Sequence, residues 1–143
     1  TDKCKTHKNI GKLLLSPTRT YSPIIKKVIG NYYNKISGII HCTGGGQTKI
    51  LHFVNNKRII KNELFQIPEI FEIIHKDTNS SLKEMYEVFN MGHRMEIYCS
   101  QTIANDIIDI SKEFNVDAKV IGFVENSSKN ELIIESKEGK IEY

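Results

Sequence analysis

Apolar positions change their period several times along the chain, and each change predicts an element. After Ser22-Pro23, the residues Ile24, Ile25, Val28 and Ile29 recur at helical spacing, with serine suited to cap the helix, proline to its first turn and Gly30-Asn31 to its end. Ile36 to Cys42 is a short β-branched run that predicts a buried strand leading directly into Thr43-Gly44-Gly45-Gly46. A short helix is expected over 47–54, a turn at Asn55-Asn56 and a strand over 57–61. Pro68 opens a helix over 69–76 with Ile70, Phe71, Ile73 and Ile74 on or near one face. Ser81 and Glu84 have capping-box spacing ahead of Met85, Tyr86 and Phe89, and Asn90-Met91-Gly92 breaks that helix. Met95, Ile97 and Cys99 alternate with Glu96 and Tyr98 as in a strand. Ile103, Ile107, Ile110 and Phe114 place a helix over 102–115. Strands are expected over 118–124 and 132–136, joined as a hairpin by the polar turn Glu125 to Asn130. The order of elements, without internal repeat, predicts an α+β fold, a layered α/β domain whose mixed sheet is covered by helices.

The polar, basic stretch to Lys12 lacks periodicity and reads as a linker or arm from a domain junction, leaving 13–143 as one domain. The sequence opens at Thr1 with neither methionine nor an apolar leader, so a piece cut from a longer chain is expected. Its 143 residues suit one core, and 39% hydrophobic with 26% charged residues is the composition of a folded soluble domain. No apolar run approaches a membrane span, so neither a membrane partner nor a transmembrane segment is expected. Cys4, Cys42 and Cys99 contain no CxxC pair and read as reduced thiols, small buried hydrophobes in a cytoplasmic protein. The net charge of +3 conceals an asymmetry: residues 1–61 hold twelve Lys/Arg and one acid, whereas 62–143 hold eight Lys/Arg and sixteen acids. An anionic partner on the first half is one reading, and interleaved, solvated charges are the other.

The sharpest candidate for chemistry is Thr43-Gly44-Gly45-Gly46, placed between a strand and a short helix. Glycine permits positive φ and lets backbone N–H groups close on an anion, so the loop reads as a phosphate cradle or as a tight turn under a packed neighbour. No GK[ST] follows it, and no GxGxxG is present. His7, His41, His52, His75 and His93 show neither HExxH nor zinc-site spacing with the cysteines, which predicts no metal site. His41 either donates to a ligand or orients a neighbour in the core. His93 with Arg94 either adds positive charge near a ligand or caps a strand. No hydrolase triad is legible, and the paired carboxylates fall on solvated helix faces, so catalytic residues stay unassigned.

Four segments in register carry a resemblance: Leu14-Leu15-Ser16-Pro17-Thr18-Arg19-Thr20-Tyr21, His41-Cys42-Thr43-Gly44-Gly45-Gly46, Glu84-Met85-Tyr86 with Phe89-Asn90-Met91-Gly92, and Val120-Ile121-Gly122. In order and approximate spacing they resemble the carboxy-terminal half of aminoimidazole ribonucleotide (AIR) synthetases, phosphoribosylformylglycinamidine cyclo-ligases, from about Leu13 to Val124. The resemblance implies a layered α/β domain joined to an amino-terminal domain that carries most of the ATP and Mg site and the main homodimer contact. The implied reaction is ATP-dependent ring closure of formylglycinamidine ribonucleotide in purine biosynthesis, in the cytoplasm, and a chain lacking its amino-terminal domain is expected to be inactive. Thr43, Gly44, Gly45 and Gly46 match the family's glycine loop and would hold the substrate phosphate. Thr18 and Arg19 match its Pro-Thr-Arg motif, where the guanidinium either pairs with phosphate or fixes the loop. Asn90 and Gly92 match the Phe-Asn-Met-Gly turn, which either lines the cleft, as His41 would, or is purely structural.

Two departures stand out: His93-Arg94 replaces the small apolar pair common after that glycine, and Gln47-Thr48-Lys49 replaces a leucine-containing continuation. Sister ATP-using families are the alternative: thiamine-monophosphate kinase, selenophosphate synthetase, hydrogenase maturation proteins and formylglycinamidine ribonucleotide synthase. The combination of Pro17-Thr18-Arg19 with the later motifs favours AIR synthetase. A nucleic-acid-binding module would interleave the basic half with Tyr21, Tyr32, Tyr33 and Phe53, yet no RNA-recognition, KH or helix-turn-helix signature accompanies them, so no nucleic-acid partner is expected.

Overall fold

A computed structural model of the chain describes residues 10–15 and 17–143. Most of the expected arm, with Cys4 and His7, and Ser16 of the Pro-Thr-Arg segment lie outside the described residues. The elements in chain order are α1 (Ile10–Leu14), α2 (Ser22–Tyr32), β1 (Ile36–His41), β2 (Lys57–Lys61), α3 (Glu69–Thr78), α4 (Leu82–Val88), β3 (Met95–Cys99), α5 (Ala104–Glu113), β4 (Gly122–Asn126), β5 (Glu131–Ser136) and β6 (Gly139–Glu142). β1 and β3 form an antiparallel pair, and a second sheet runs β4-β2-β5-β6. In the second sheet β2 and β5 are parallel while the other pairs are antiparallel, which gives the mixed sheet of the expected α+β class.

Several local signals act where the sequence places them. Ser81 Oγ accepts the Glu84 N–H at 3.2 Å and Glu84 Oε2 accepts the Ser81 N–H at 2.7 Å, so the capping box closes in both directions and starts α4. Asn56 has positive φ in the turn before β2, and Asn79 has a left-handed backbone just after α3.

At α2 the signals act differently. Tyr21 occupies the cap position without a side-chain cap bond, Ser22 lies inside the first turn, and the helix continues through Gly30-Asn31 to Tyr32. Tyr32 packs on the apolar cluster shared with α5 and its hydroxyl bonds to Asp106, so contacts beyond the glycine outweigh its preference to end the helix.

The expected hairpin of 118–124 with 132–136 does not form. The strand begins at Gly122, four residues later than expected, and β4 and β5 flank β2 instead of pairing with each other. A Cβ at Gly122 would lie 1.8 Å from the Ile60 carbonyl oxygen, so the close approach to β2 requires glycine there. The connection from β4 to β5 spans the start of β2. It is held by the Ser127 N–H on the Asn56 carbonyl at 3.0 Å and by Asn130 Nδ2 on the Val54 carbonyl at 2.7 Å. The terminal hairpin is β5 with β6.

Two apolar clusters divide the interior. The larger joins Ile40, Ile50, Ile59, Met85, Tyr86, Met91, Leu132, Ile134 and Ile141 with Cys42, beneath the four-stranded sheet and α4. The smaller joins Ile24, Val28, Ile103, Ile107 and Ile110 where α2 meets α5. β3 runs between them, with Ile97 and Cys99 against the smaller cluster and Tyr98 against the larger. Because alternate side chains of a strand point to opposite faces, Glu96 shares the Tyr98 face, and it is only 5% exposed.

Candidate functional site

The glycine loop leaves β1 at His41, and its departure is anchored where the Cys42 N–H donates to the Arg94 carbonyl at 2.9 Å. Gly44, Gly45 and Gly46 all have positive φ, at 59°, 83° and 46°. The carbonyls of His41, Thr43 and Gly45 are satisfied from within. Lys49 Nζ donates to the His41 carbonyl at 3.1 Å and the Thr43 carbonyl at 2.9 Å, while the Gly45 carbonyl accepts from the Thr48 and Lys49 N–H groups. The N–H groups of Gly44, Gly45 and Gly46 have no protein acceptor among the described residues. That polarity, carbonyls capped by an ammonium and amides left over, is the pattern of an anion-binding nest. The glycines are not equivalent. A Cβ at Gly46 would lie 2.5 Å from the Tyr86 carbonyl oxygen and 2.6 Å from that of Phe89, so this glycine serves close packing on the end of α4, whereas Gly44 faces open space.

Beside the loop lies a cleft of about 210 Å³ lined by Pro17, Thr18, His41, Cys42, Thr43, Asn90 and Arg94. Thr18, His41, Thr43 and Asn90, expected from separate segments, therefore meet at one place. Five of the expected residues are not in that lining: Gly44, Gly45 and Gly46 continue the loop beside it, and Arg19 and Gly92 lie elsewhere. Arg19 Nη1 donates to the Asn115 carbonyl at 2.6 Å at the end of α5, where a cation also meets the negative end of the helix dipole. These contacts tie Arg19 to the end of α5. Gly92, at φ 99°, forms the turn itself, where a Cβ would lie 3.1 Å from Pro68 Cδ. The Gly92 N–H donates to Asn90 Oδ1 at 2.9 Å, which orients the Asn90 amide.

Below the loop is a layer of buried polar groups that no sequence motif joins together. Gln47, Lys61, His93 and Glu96 are each at most 5% exposed. Lys61 Nζ donates to Glu96 Oε1 at 2.6 Å, to Gln47 Oε1 at 2.8 Å and to the Gln47 carbonyl at 3.2 Å. Glu96 Oε2 accepts the Tyr98 hydroxyl at 2.7 Å, and Gln47 Nε2 donates to the Asn90 carbonyl at 2.8 Å. The chain thus ties β2 and β3 to the two turns that frame the cleft. The alternation in β2 carried a signal for it, since Lys61 falls on the same face as the buried Ile59. Lysine there requires a partner, and Glu96 supplies it.

The same burial sets the protonation states. His93 Nε2 accepts the Phe65 N–H at 3.0 Å, so the ring proton sits on Nδ1, which has no acceptor. Burial, with Lys61 adding to it and Glu96 opposing it, pushes His93 down to about 4 and leaves it neutral near pH 7. Of the His93-Arg94 pair, His93 therefore turns into the core and Arg94 into the cleft. Burial and the nearby Glu96 push the Cys42 thiol up to about 12, so it is no thiolate nucleophile at neutral pH. Burial followed by Glu96 raises the Tyr98 hydroxyl as well. The lining holds no carboxylate, and among the described residues no three His, Cys, Asp or Glu side chains group to hold a metal ion. No described helix is long and apolar enough to cross a membrane. What the arrangement offers chemically is anion binding: backbone amides, two threonine hydroxyls, an oriented amide and a guanidinium.

The family described as AIR synthase related protein, C-terminal domain, matches residues 1–135. Phosphoribosylformylglycinamidine cyclo-ligase of Methanopyrus kandleri is 34% identical over 125 residues, covering 87% of this chain and 35% of that protein. The enzyme of the same name from Syntrophus aciditrophicus is 34% identical over 128 residues, covering 83% and 35%. The chain spans about a third of the length of these curated relatives. Among solved structures, E. coli HypE, a hydrogenase maturation protein, superposes with a TM-score of 0.61 at 16% identity over 94% of this chain and 43% of that one. A chain of a HypE-HypF complex gives 0.62 over 96% and 47%, also at 16% identity. Both structural likenesses bear on the fold.

Proposed function

Because the chain belongs to the family of AIR synthase related proteins, C-terminal domain, we propose that it is the substrate-binding domain of a phosphoribosylformylglycinamidine cyclo-ligase. The cleft holds the phosphate of formylglycinamidine ribonucleotide. The Gly44, Gly45 and Gly46 amides donate to its oxygens, Thr18 and Thr43 add hydroxyl donors, and Asn90 and His41 line the approach. The observation that carries the reading is the convergence of three distant segments on one cleft without a carboxylate, beside a loop whose amides are unused.

A carboxylate-free cleft does not suit Mg²⁺, a hard cation that binds through carboxylate oxygens and phosphates, so no step is assigned to a metal here. ATP and Mg are assigned to an amino-terminal domain of the full-length enzyme, which also makes the homodimer contact, in the cytoplasm. In the overall reaction ATP activates the formyl oxygen by phosphorylation, the ring-closing nitrogen attacks the formyl carbon, and AIR, ADP and phosphate leave. This chain's part is to fix the ribonucleotide by its phosphate so that the two reacting atoms are held together, and such positioning lowers the barrier by removing the entropy of encounter.

The test is AIR formation by the full-length protein from formylglycinamidine ribonucleotide and ATP, with Gly45→Val beside it. The variant puts a β-branched residue at positive φ in the loop and is expected to lower kcat/KM about a hundredfold or more, on the order of 3 kcal/mol. Unchanged kcat/KM in a folded Gly45→Val protein would remove the glycine loop from the site. No AIR from a folded wild-type protein that hydrolyses ATP with another phosphorylated substrate would move the chain to one of the sister families. The chain by itself is expected to give no turnover.

A further inference from the structure

We propose that Arg94 is the specificity-determining residue of the cleft, selecting a dianionic phosphate monoester by a two-pronged guanidinium contact; this rests on reading the cleft as the phosphate subsite. Arg94 is exposed and lines the cleft together with Thr18, His41, Thr43 and Asn90. Its backbone is held in place. The Arg94 carbonyl accepts the Cys42 N–H at 2.9 Å immediately before the glycine loop, and the turn ahead of it is closed by the His93 N–H on the Asn90 carbonyl at 2.9 Å. None of the ion pairs among the described residues includes Arg94.

The cleft contains no aspartate or glutamate that would neutralise this charge. The other nearby cation, Lys49, donates to the carbonyls of His41 and Thr43 and so is committed to the loop. Arg94 is thus the cation left for a ligand at this place. A planar guanidinium meets two phosphate oxygens at once, while three loop amides meet the others, and such a contact distinguishes a phosphate monoester from a neutral sugar or alcohol. His93 is held inward by the Phe65 N–H, while Arg94, the last residue before β3, lines the cleft.

The experiment compares two ligands on the full-length protein: formylglycinamidine ribonucleotide and the corresponding nucleoside lacking the phosphate. Binding is measured by calorimetry for wild type, Arg94→Ala, Arg94→Lys and Gly45→Val, with circular dichroism confirming the fold. Arg94→Ala is expected to weaken the ribonucleotide roughly thirtyfold and leave the nucleoside unchanged, with Arg94→Lys recovering part of the loss. Equal losses for both ligands would make Arg94 a structural residue and overturn the proposal. Ribonucleotide affinity within about twofold of wild type in Arg94→Ala, with Gly45→Val still defective, would overturn it while leaving the phosphate subsite intact. Wild-type and Gly45→Val proteins that bind the two ligands equally would remove the subsite, and the role of Arg94 with it.

Discussion

The two apolar clusters of this domain are built on different terms. The smaller one, where α2 meets α5, is a set of isoleucines and a valine, and the buried hydroxyl there, Ser111, bonds back to the Ile107 carbonyl of its own helix at 3.0 Å. The larger one carries a lysine, a glutamate, a glutamine and a histidine at its boundary, all within the layer under the cleft. Burying an ion pair contributes little net stability, because desolvating both charges offsets their attraction. The buried polar groups gather beneath the glycine loop and are nearly missing where α2 meets α5. The contrast teaches that the buried pair is a device for geometry: it fixes Gln47, and through Gln47 the end of the glycine loop and the Asn90 carbonyl.

Removing one partner of the pair should break that contrast most strongly. Glu96→Ala leaves the Lys61 ammonium buried without a counter-charge and is expected to cost about 4 kcal/mol in urea unfolding. The double replacement Lys61→Met with Glu96→Leu should recover most of this stability, yet still bind the ribonucleotide more weakly, because Gln47 loses its donor. A double variant that regains full affinity would mean that the pair does not hold the loop.

Acid supplies the next effect. His93 is depressed from 6.5 to about 4 in the folded state, so the unfolded chain binds the proton first. Stability is therefore fully present above pH 6.5 and falls as pH drops toward about 4, by on the order of 3 kcal/mol. His93→Gln should flatten the unfolding free energy across that window. A wild-type profile that is already flat would show that His93 is not held neutral.

The smallest effect belongs to the smaller cluster. Ile107→Val removes one buried methylene and should cost about 1 kcal/mol, read as a lowered Tm, with ribonucleotide affinity unchanged. A loss of affinity there would mean that the two clusters are not independent.

How far the sequence is legible follows the same division. The capping box at Ser81 and Glu84, the turn before β2 and the apolar stripe of α5 could be read directly, since each depends on residues within one or two turns of each other. The glycine loop was equally visible, and the structure separates its members: Gly46 answers to close packing, Gly45 lies against Lys49, and Gly44 faces open space. Thr18, His41, Thr43 and Asn90 were named from motifs, but their meeting at one cleft is a fact of the fold. Arg94, noted only as one half of a basic pair, gained its place when His93 took the interior.

The sequence by itself determined the α+β class, most of the elements, the family and the loop on which the proposed chemistry rests, because period, caps and positive-φ glycines act over short stretches of chain. The tertiary structure alone decided that β2 enters between β4 and β5, that Arg19 turns away from the cleft to the end of α5, and that Glu96 lies inside. Strand order is set by which edges meet in space, since one strand periodicity fits several neighbours. An ionised side chain is buried only where a distant partner lies within reach, and Lys61 and Glu96, 35 residues apart, find each other only once both sheets are in place.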